Sequence, residues 1–297
     1  MDGLDAILNR RTPTAWEEFW ASPVLYVARK TYEWSTRPPA LPTEAPDSSI
    51  RVVCISDTHN THLSQPPLPE GDILIHAGDL TQAGSATEIG DALAWLSSQP
   101  HPHKVIVAGN HDVRFAEKEV RTRLLQANPT ILYLEDSAAT LTVRGRTLRL
   151  YGSPRTPKYG SWAFQYLRSD SAAIWADVPA FTDILITHGP PLGHLDLGGG
   201  CEGLLAAVWR VRPRLHVFGH MHGGRGVARV TWSRAQRAYE DVCKGRRPWA
   251  GLVRLIFWAI VDKFKPVGDV ETTILVNAAA VGGRRDDKKM GPTVVRI

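Results

Sequence analysis

Five short apolar runs in this chain each end in histidine, aspartate or asparagine, and this pattern constrains the fold more than any other feature. The endings are SDTH at 56–59, HAGDL at 76–80, GNHD at 109–112, THGPP at 187–191 and FGHMH at 218–222. The runs before them are rich in branched apolar residues, which is typical of strands buried on both faces. Because the carboxyl ends of parallel strands meet at one edge of an α/β sheet, the five endings are predicted to converge.

The segments between these runs complete the prediction of an α/β fold with two sheets packed between helices. Helices are expected at 86–97, 117–127, 169–175 and 201–211. Alternating residues on either side of Arg144-Gly145 predict a β-hairpin. Further strands are expected near 226–231, 272–276 and 293–297.

Composition and charge restrict the classes of protein to be considered. The chain has 297 residues, of which 43% are hydrophobic, enough for a large core. Its net charge of +5 is modest, so a stable complex with nucleic acid is not expected. Three cysteines without a CxxC pair favour a reduced compartment, and the absence of a recognisable signal peptide adds to the prediction of a cytoplasmic protein.

Two regions lie outside the strand pattern. Residues 1–48 are predicted to form helices followed by a linker, in which 37–49 contain four prolines. The main domain is placed at 49–297, with a helical insert at about 233–265. The apolar segment 249–264 has 16 residues, fewer than the roughly 20 that a transmembrane helix needs. Either 1–36 or 249–264 is a candidate for peripheral membrane contact, and packing on the domain is the simpler alternative.

The polar residues at the strand ends are the types that bind transition metals. They comprise two aspartates, one asparagine and four histidines: Asp57, His59, Asp79, Asn110, His188, His220 and His222. Mixed oxygen and imidazole ligands suit Mn, Fe, Zn or Co better than Mg or Ca. Seven ligands exceed the needs of one ion, whereas two ions sharing a carboxylate would use them well. Such a pair would neutralise phosphate oxygens and would activate water as a hydroxide for attack on phosphorus.

The motifs DTH, GDL, GNHD, THGPP and GHMH resemble those of the metallophosphoesterase (calcineurin-like phosphoesterase) superfamily, and the chain looks most like its small MPPED-type branch. The resemblance implies an αββα sandwich with flanking helices and two divalent ions (Mn, Fe, Zn or Ni). It assigns Asp57, His59, Asp79 and His222 to one ion, and Asp79, Asn110, His188 and His220 to the other. His111 would act on the phosphate or the leaving group, with Asp112 orienting its ring.

The expected function is hydrolysis of small phosphodiesters such as cyclic nucleotides. Arg155, after a predicted strand, and His194, in the loop after THGPP, are candidates for substrate binding. Two alternatives remain open at this point. One is a phosphomonoesterase or protein phosphatase, and the other is a non-enzymatic scaffold that metal ions stabilise.

Overall fold

The first of two central sheets carries three of the five strand ends. The computed structural model describes residues 14–36, 49–264, 271–282 and 288–297. The sheet contains β1 (Arg51–Ile55), β2 (Ile73–Ala77), β3 (His103–Val107), β4 (Ile131–Tyr133) and β15 (Thr293–Arg296), in the order β15-β1-β2-β3-β4. Strands β1 to β4 are parallel, and β15 pairs antiparallel with β1. Consequently β1, β2 and β3 end at the same edge.

The second sheet carries the other two strand ends. It contains β5 (Ser137–Val143), β6 (Arg146–Ser153), β9 (Ile184–Thr187), β10 (Leu215–Phe218), β11 (Gly226–Thr231) and β12 (Thr272–Asn277), in the order β11-β12-β10-β9-β6-β5. Strands β6, β9, β10 and β12 are parallel, and the outer strands β5 and β11 are antiparallel to their neighbours. The predicted hairpin turn is present, with positive φ at Arg144 and Gly145 as a two-residue turn of this kind requires.

The two sheets pack face to face, because alternate residues of each strand point to opposite sides. Val52 and Cys54 of β1 lie in a core shared with the second sheet, which contributes Ile186 and Val217. The opposite face of β1 packs against helices. The predicted two-sheet α/β sandwich is therefore confirmed. Two short pairs also form, β7 (Thr156–Pro157) with β8 (Gln165–Tyr166) and β13 (Val281–Gly282) with β14 (Lys288–Lys289).

Helices flank both sheets. They are α1 (Ala15–Ala21), α2 (Pro23–Ser35), α3 (Ala86–Ser97), α4 (Lys118–Gln126), α5 (Ser171–Ile174), α6 (Glu202–Val211), α7 (Arg234–Cys243) and α8 (Pro248–Lys263). The helix predicted at 169–175 is shorter than expected, since a 3₁₀ turn at Arg168–Asp170 precedes α5. In the described ranges, no helix has both the length and the apolar composition needed to cross a bilayer.

Helices α7 and α8 lie between β11 and β12, where the sequence predicts an insert, and α2 packs against them. Tyr32 of α2 stacks on Tyr239 of α7 with ring centroids 4.2 Å apart. Ala28 is fully buried in the same cluster, together with Leu255 of α8. The N-terminal helices are thus tied to the insert. Most of the predicted proline-rich linker, at 37–48, lies outside the described residues, as do residues 1–13.

Candidate metal centre

The seven predicted ligands meet where the strands of both sheets end. His222 Nε2 lies 3.3 Å from Asp57 Oδ1 and 3.3 Å from His59 Nε2. His188 Nε2 lies 3.1 Å from Asn110 Oδ1. The potential ligand atoms of Asp57, His59 and His222 all lie within 4.8 Å of one another, and those of Asp79, His188 and His220 do the same. The structure therefore brings together two groups that have the composition expected for two cation sites.

Asp79 lies between these two groups. Its Oδ2 atom is 3.2 Å from His188 Nε2 and 3.7 Å from His59 Nε2. Its Oδ1 atom accepts a 2.8 Å hydrogen bond from the backbone N–H of His111. One carboxylate oxygen is thus fixed by the GNHD loop, while the other faces a histidine from each group. This is the geometry that a shared ligand requires.

The backbone at the ligands is unusual. Asp57, His59, Asp79 and His220 all have positive φ, between 42° and 67°, a region that residues other than glycine rarely adopt. Such conformations are unfavourable by roughly 1–3 kcal/mol each and are often found at functional sites. The positive φ values thus fall on four of the seven predicted ligands.

Glycine allows two strand ends to approach the aspartates closely. A Cβ atom on Gly109 would lie 2.1 Å from Asp79 Oδ1, and one on Gly219 would lie 2.0 Å from Asp57 Oδ2. Neither position accommodates a side chain without displacing a predicted ligand. The glycine in GNHD and the glycine in GHMH are therefore part of the architecture of the site.

Backbone carbonyls orient three of the histidines. The Nδ1 atoms of His59, His188 and His111 lie 3.2, 2.9 and 2.8 Å from the carbonyl oxygens of Thr81, Ala77 and Gln82 respectively. Because a carbonyl oxygen only accepts, each Nδ1 must donate. The Nε2 atoms of His59 and His188 then face the centre of the site, as metal-binding histidines require.

The carboxylates and imidazoles of the site shift each other's pKa values. Burial would raise the pKa of Asp57, but the hydrogen bond and charge of His222 outweigh it and lower that pKa to about 2. Burial likewise opposes a charged His188, but the Asp79 carboxylate overrides it and raises the pKa of His188 to about 9. For His220, burial dominates and lowers the pKa to about 4. Burial also opposes ionisation of Asp79, but the charge and hydrogen bond of His188 hold the pKa of Asp79 well below its usual range. Both buried carboxylates are therefore ionised.

The structure corrects the role predicted for Asp112. This fully buried carboxylate accepts hydrogen bonds from the backbone N–H groups of Leu80, Thr81 and Gly109 and from the Thr81 hydroxyl. The His111 ring is instead held by the carbonyl of Gln82. Asp112 ties the loop after β2 to the loop after β3, so it acts on the backbone that positions His111. Burial and the nearby Asp79 charge raise the pKa of Asp112 to about 6, against the effect of its donors.

His194 lies in a different environment from the one predicted. The sequence places it beside the substrate, whereas the structure buries it against α7. Its Nε2 atom lies 3.0 Å from Glu240 Oε1 and 2.9 Å from Gln236 Nε2. His194 therefore connects the loop after β9 to the helical insert. The sequence could not reveal this because the partners lie more than 40 residues away.

Arg155 follows β6, as predicted, but it is already paired. Its Nε atom donates to Asp136 Oδ2 over 2.7 Å, and about a third of each side chain is exposed to solvent. Substrate binding by Arg155 stays a prediction, since contact with a phosphate would require a rearrangement of this pair.

One aromatic residue contacts the predicted catalytic histidine. Trp162, on the loop between β7 and β8, stacks on the His111 ring with centroids 4.2 Å apart and planes 29° apart. The neighbouring Ala163 donates its backbone N–H to the Asn110 carbonyl over 3.3 Å. The stacking on His111 has no signal in the sequence.

Comparison with known proteins agrees with this geometry. The family model for calcineurin-like phosphoesterases matches residues 50–224, which is more than half of the chain. Human metallophosphoesterase domain-containing protein 1 is 40% identical over 212 residues, covering 61% of this chain and 63% of the relative. A UPF0046 protein of Caenorhabditis elegans is 35% identical over 211 residues, covering 64% of this chain and 75% of that protein.

A third relative covers nearly the whole chain. It is a protein of Emericella nidulans named probable rhamnogalacturonate lyase C, which is 45% identical over 304 residues. The alignment includes 99% of this chain but only 29% of the lyase, so that name describes a much longer protein. The family match contains all seven predicted metal ligands as well as His111. The chain therefore belongs to the calcineurin-like phosphoesterase family.

Proposed function

We propose that this chain is a dinuclear metal-dependent phosphodiesterase that acts on small substrates such as cyclic nucleotides. The observation that carries the proposal is the position of Asp79 Oδ2, which faces His188 of one ligand group and His59 of the other. A carboxylate shared in this way is characteristic of two-metal phosphoryl chemistry. The mixed oxygen and imidazole ligands suit Mn, Fe, Zn or Ni.

The residues divide into two cation sites that share one ligand. Asp57, His59, Asp79 and His222 would hold one ion, and Asp79, Asn110, His188 and His220 would hold the other. Bound there, two divalent ions would supply the positive charge that neutralises phosphate oxygens and activates water. The protein contributes rigid placement, because two backbone carbonyls orient the ligands His59 and His188, and two glycines allow close approach to the aspartates before any ion binds.

His111 is proposed to contact the substrate. Its backbone N–H holds Asp79, and its Nδ1–H donates to the Gln82 carbonyl. The Nε2 atom is then the part of the ring that can hydrogen-bond a phosphate oxygen or the leaving-group oxygen. His111 also lies within 4.8 Å of ligand atoms on His59 and Asp79, so a bound phosphate would be within its reach. It would stabilise charge as it develops at phosphorus.

The arginines near the site support a diester over a monoester. A monoester carries two negative charges, for which a pair of available arginines would be suitable. Arg155 is paired with Asp136. Arg225 donates to the Ala279 carbonyl, to the Met290 carbonyl and to the Thr293 hydroxyl. Both candidates are thus engaged in holding the structure, which favours the less charged diester.

The preference is tested with two chromogenic substrates and Mn²⁺. We expect kcat/KM for bis-p-nitrophenyl phosphate to exceed that for p-nitrophenyl phosphate. A strong preference for the monoester would contradict the diesterase proposal. A panel of 3′,5′- and 2′,3′-cyclic nucleotides would then identify the substrate class.

The role of His111 separates an enzyme from a metal-stabilised scaffold. We expect His111→Ala to lower turnover of the diester by roughly 100-fold or more, because general acid and electrostatic catalysis contribute about that much. Metal content should stay the same, since His111 is not assigned as a ligand. Unchanged turnover in this variant would disprove the role of His111, and the absence of turnover in the wild type would favour the scaffold.

A further inference from the structure

Helix α8 has two apolar faces, and only one of them is buried. The inner face packs against α7 and α2 through Leu252, Leu255 and Ala259. On the outer face, six large apolar side chains are between 39% and 85% exposed: Trp249, Val253, Ile256, Phe257, Ile260 and Phe264. We call these six residues the outer stripe. Apart from the adjacent pair Ile256 and Phe257, successive members are three or four residues apart, which places the set along one side of the helix.

The outer stripe is large for a surface that faces only water. Single exposed apolar residues are common, but a contiguous row of six usually marks an interaction site. The packing of the inner face already holds α8 in place, so the outer stripe is not needed for the fold. At 16 residues, the helix is roughly 24 Å long and presents the stripe along its entire length.

The segment that carries the outer stripe has an excess of positive charge. Residues 244–264 contain five cationic side chains and one acidic side chain, a net charge of +4 in a chain whose total is +5. Arg246 pairs with Glu202, and Arg254 pairs with Asp241. When these two acids are included, the net charge is still +2. Lys263 lies 4.9 Å from the ring of Trp34, which is itself 56% exposed. Both ends of the helix thus combine cationic and aromatic side chains.

We propose that the outer stripe of α8 docks on the surface of an anionic lipid bilayer. Helices that lie in the interface carry an apolar face with Trp and Phe, flanked by Lys and Arg that contact lipid headgroups. Tryptophan is favoured at this depth because its ring is apolar and its N–H is polar. The cationic surroundings favour an anionic membrane over a second copy of the same surface, since two such surfaces would repel each other.

The test measures binding of the full chain to vesicles. Wild-type protein is mixed with one of two vesicle preparations, and binding is measured by flotation. One preparation is phosphatidylcholine alone, and the other contains about 30 mol% phosphatidylserine. We expect binding only to the anionic vesicles, and a several-fold decrease at roughly 0.5 M salt. The double substitution Trp249→Gln with Phe257→Gln should lower the partition coefficient roughly tenfold or more, because two large apolar side chains no longer enter the interface.

A matched control distinguishes the outer stripe from general surface hydrophobicity. Phe181 is 76% exposed and lies next to β6, outside the helical insert. Phe181→Gln should leave vesicle binding unchanged, whereas Phe257→Gln alone should weaken it several-fold. Equal effects of the two variants, or no binding of the wild type to anionic vesicles, would overturn the proposal. So would a wild-type dimer that Phe257→Gln converts to a monomer, because the outer stripe would then bind a second copy.

Discussion

Replacing Asp112 with asparagine tests how the GNHD loop is built. The carboxylate is fully buried and accepts from four donors, at 2.7 to 3.2 Å. An asparagine of the same shape has one acceptor oxygen and an NH₂ group. If the NH₂ replaces Oδ2, it faces the N–H groups of Gly109 and Leu80. If the NH₂ replaces Oδ1, it faces the backbone N–H of Thr81, which then has no acceptor. The Thr81 hydroxyl can rotate and accept a hydrogen bond from the NH₂.

The expected cost follows from this count. One or two buried N–H groups are left without an acceptor, each at about 1–3 kcal/mol, so Asp112→Asn should destabilise the fold by about 1–6 kcal/mol. That is a large part of the 5–15 kcal/mol typical of a domain. At pH 8 the carboxylate is ionised, since its pKa is about 6. Urea unfolding at this pH, with EDTA present, measures the loss without a contribution from metal binding.

A half-buried aspartate provides the control. Asp183 accepts one backbone N–H, from Arg149 at 2.8 Å, and Asp183→Asn should cost less than about 1 kcal/mol. If Asp112→Asn were as stable as the control but much less active, the carboxylate would act on His111 directly, as the sequence suggested. That result would refute the structural role derived from the four donors.

Two further predictions concern the histidines of the site. Trp162→Ala should lower turnover by roughly 2- to 10-fold, because an aromatic pair such as Trp162–His111 contributes about 0.5–1.5 kcal/mol. Trp162→Phe keeps an aromatic ring and should retain most of the turnover. Equal loss of turnover in both variants would contradict a stacking role. With its pKa raised to about 9, His188 holds a proton at pH 7 in the metal-free protein, whereas His220, with a pKa of about 4, does not. This proton stabilises the metal-free fold fully below pH 6.5, and the contribution is lost as the pH rises through 9. Metal binding at pH 7 should therefore release about one proton, measurable by calorimetry in buffers of different ionisation enthalpy, and no release would disprove the assignment of His188.

The strand ends could be read from the sequence because their signal is local. A buried strand that ends in Gly109-Asn110 or Gly219-His220 shows both the apolar run and the polar ligand within a few residues. The order of these endings along the chain was enough to predict that they converge. The sequence predicts the sandwich and all seven candidate ligands in this way, and the structure brings the seven together.

The hydrogen-bond partners of His111, His194 and Asp112 could not be predicted from the sequence. These partners are either backbone groups or side chains distant in sequence. The His111 ring is held by the Gln82 carbonyl, and a carbonyl exists at every residue, so nothing in the sequence distinguishes this one. The sequence predicts that His194 lines the pocket because it follows a ligand loop, yet its ring contacts Glu240, 46 residues later. The sequence pairs Asp112 with its neighbour His111, whereas its hydrogen-bond partners lie mainly in the loop after β2.

The central claim is that Asp79 is shared between two cations, and metal content tests it most directly. Wild-type protein, Asp57→Asn and Asp79→Asn are each loaded with Mn²⁺, desalted and measured for metal per chain. Asp57 belongs to one group of ligands, whereas Asp79 Oδ2 faces both. We predict about two ions for the wild type, about one for Asp57→Asn and close to none for Asp79→Asn. Retention of one full ion by Asp79→Asn, or a wild type that binds only one, would contradict the shared carboxylate.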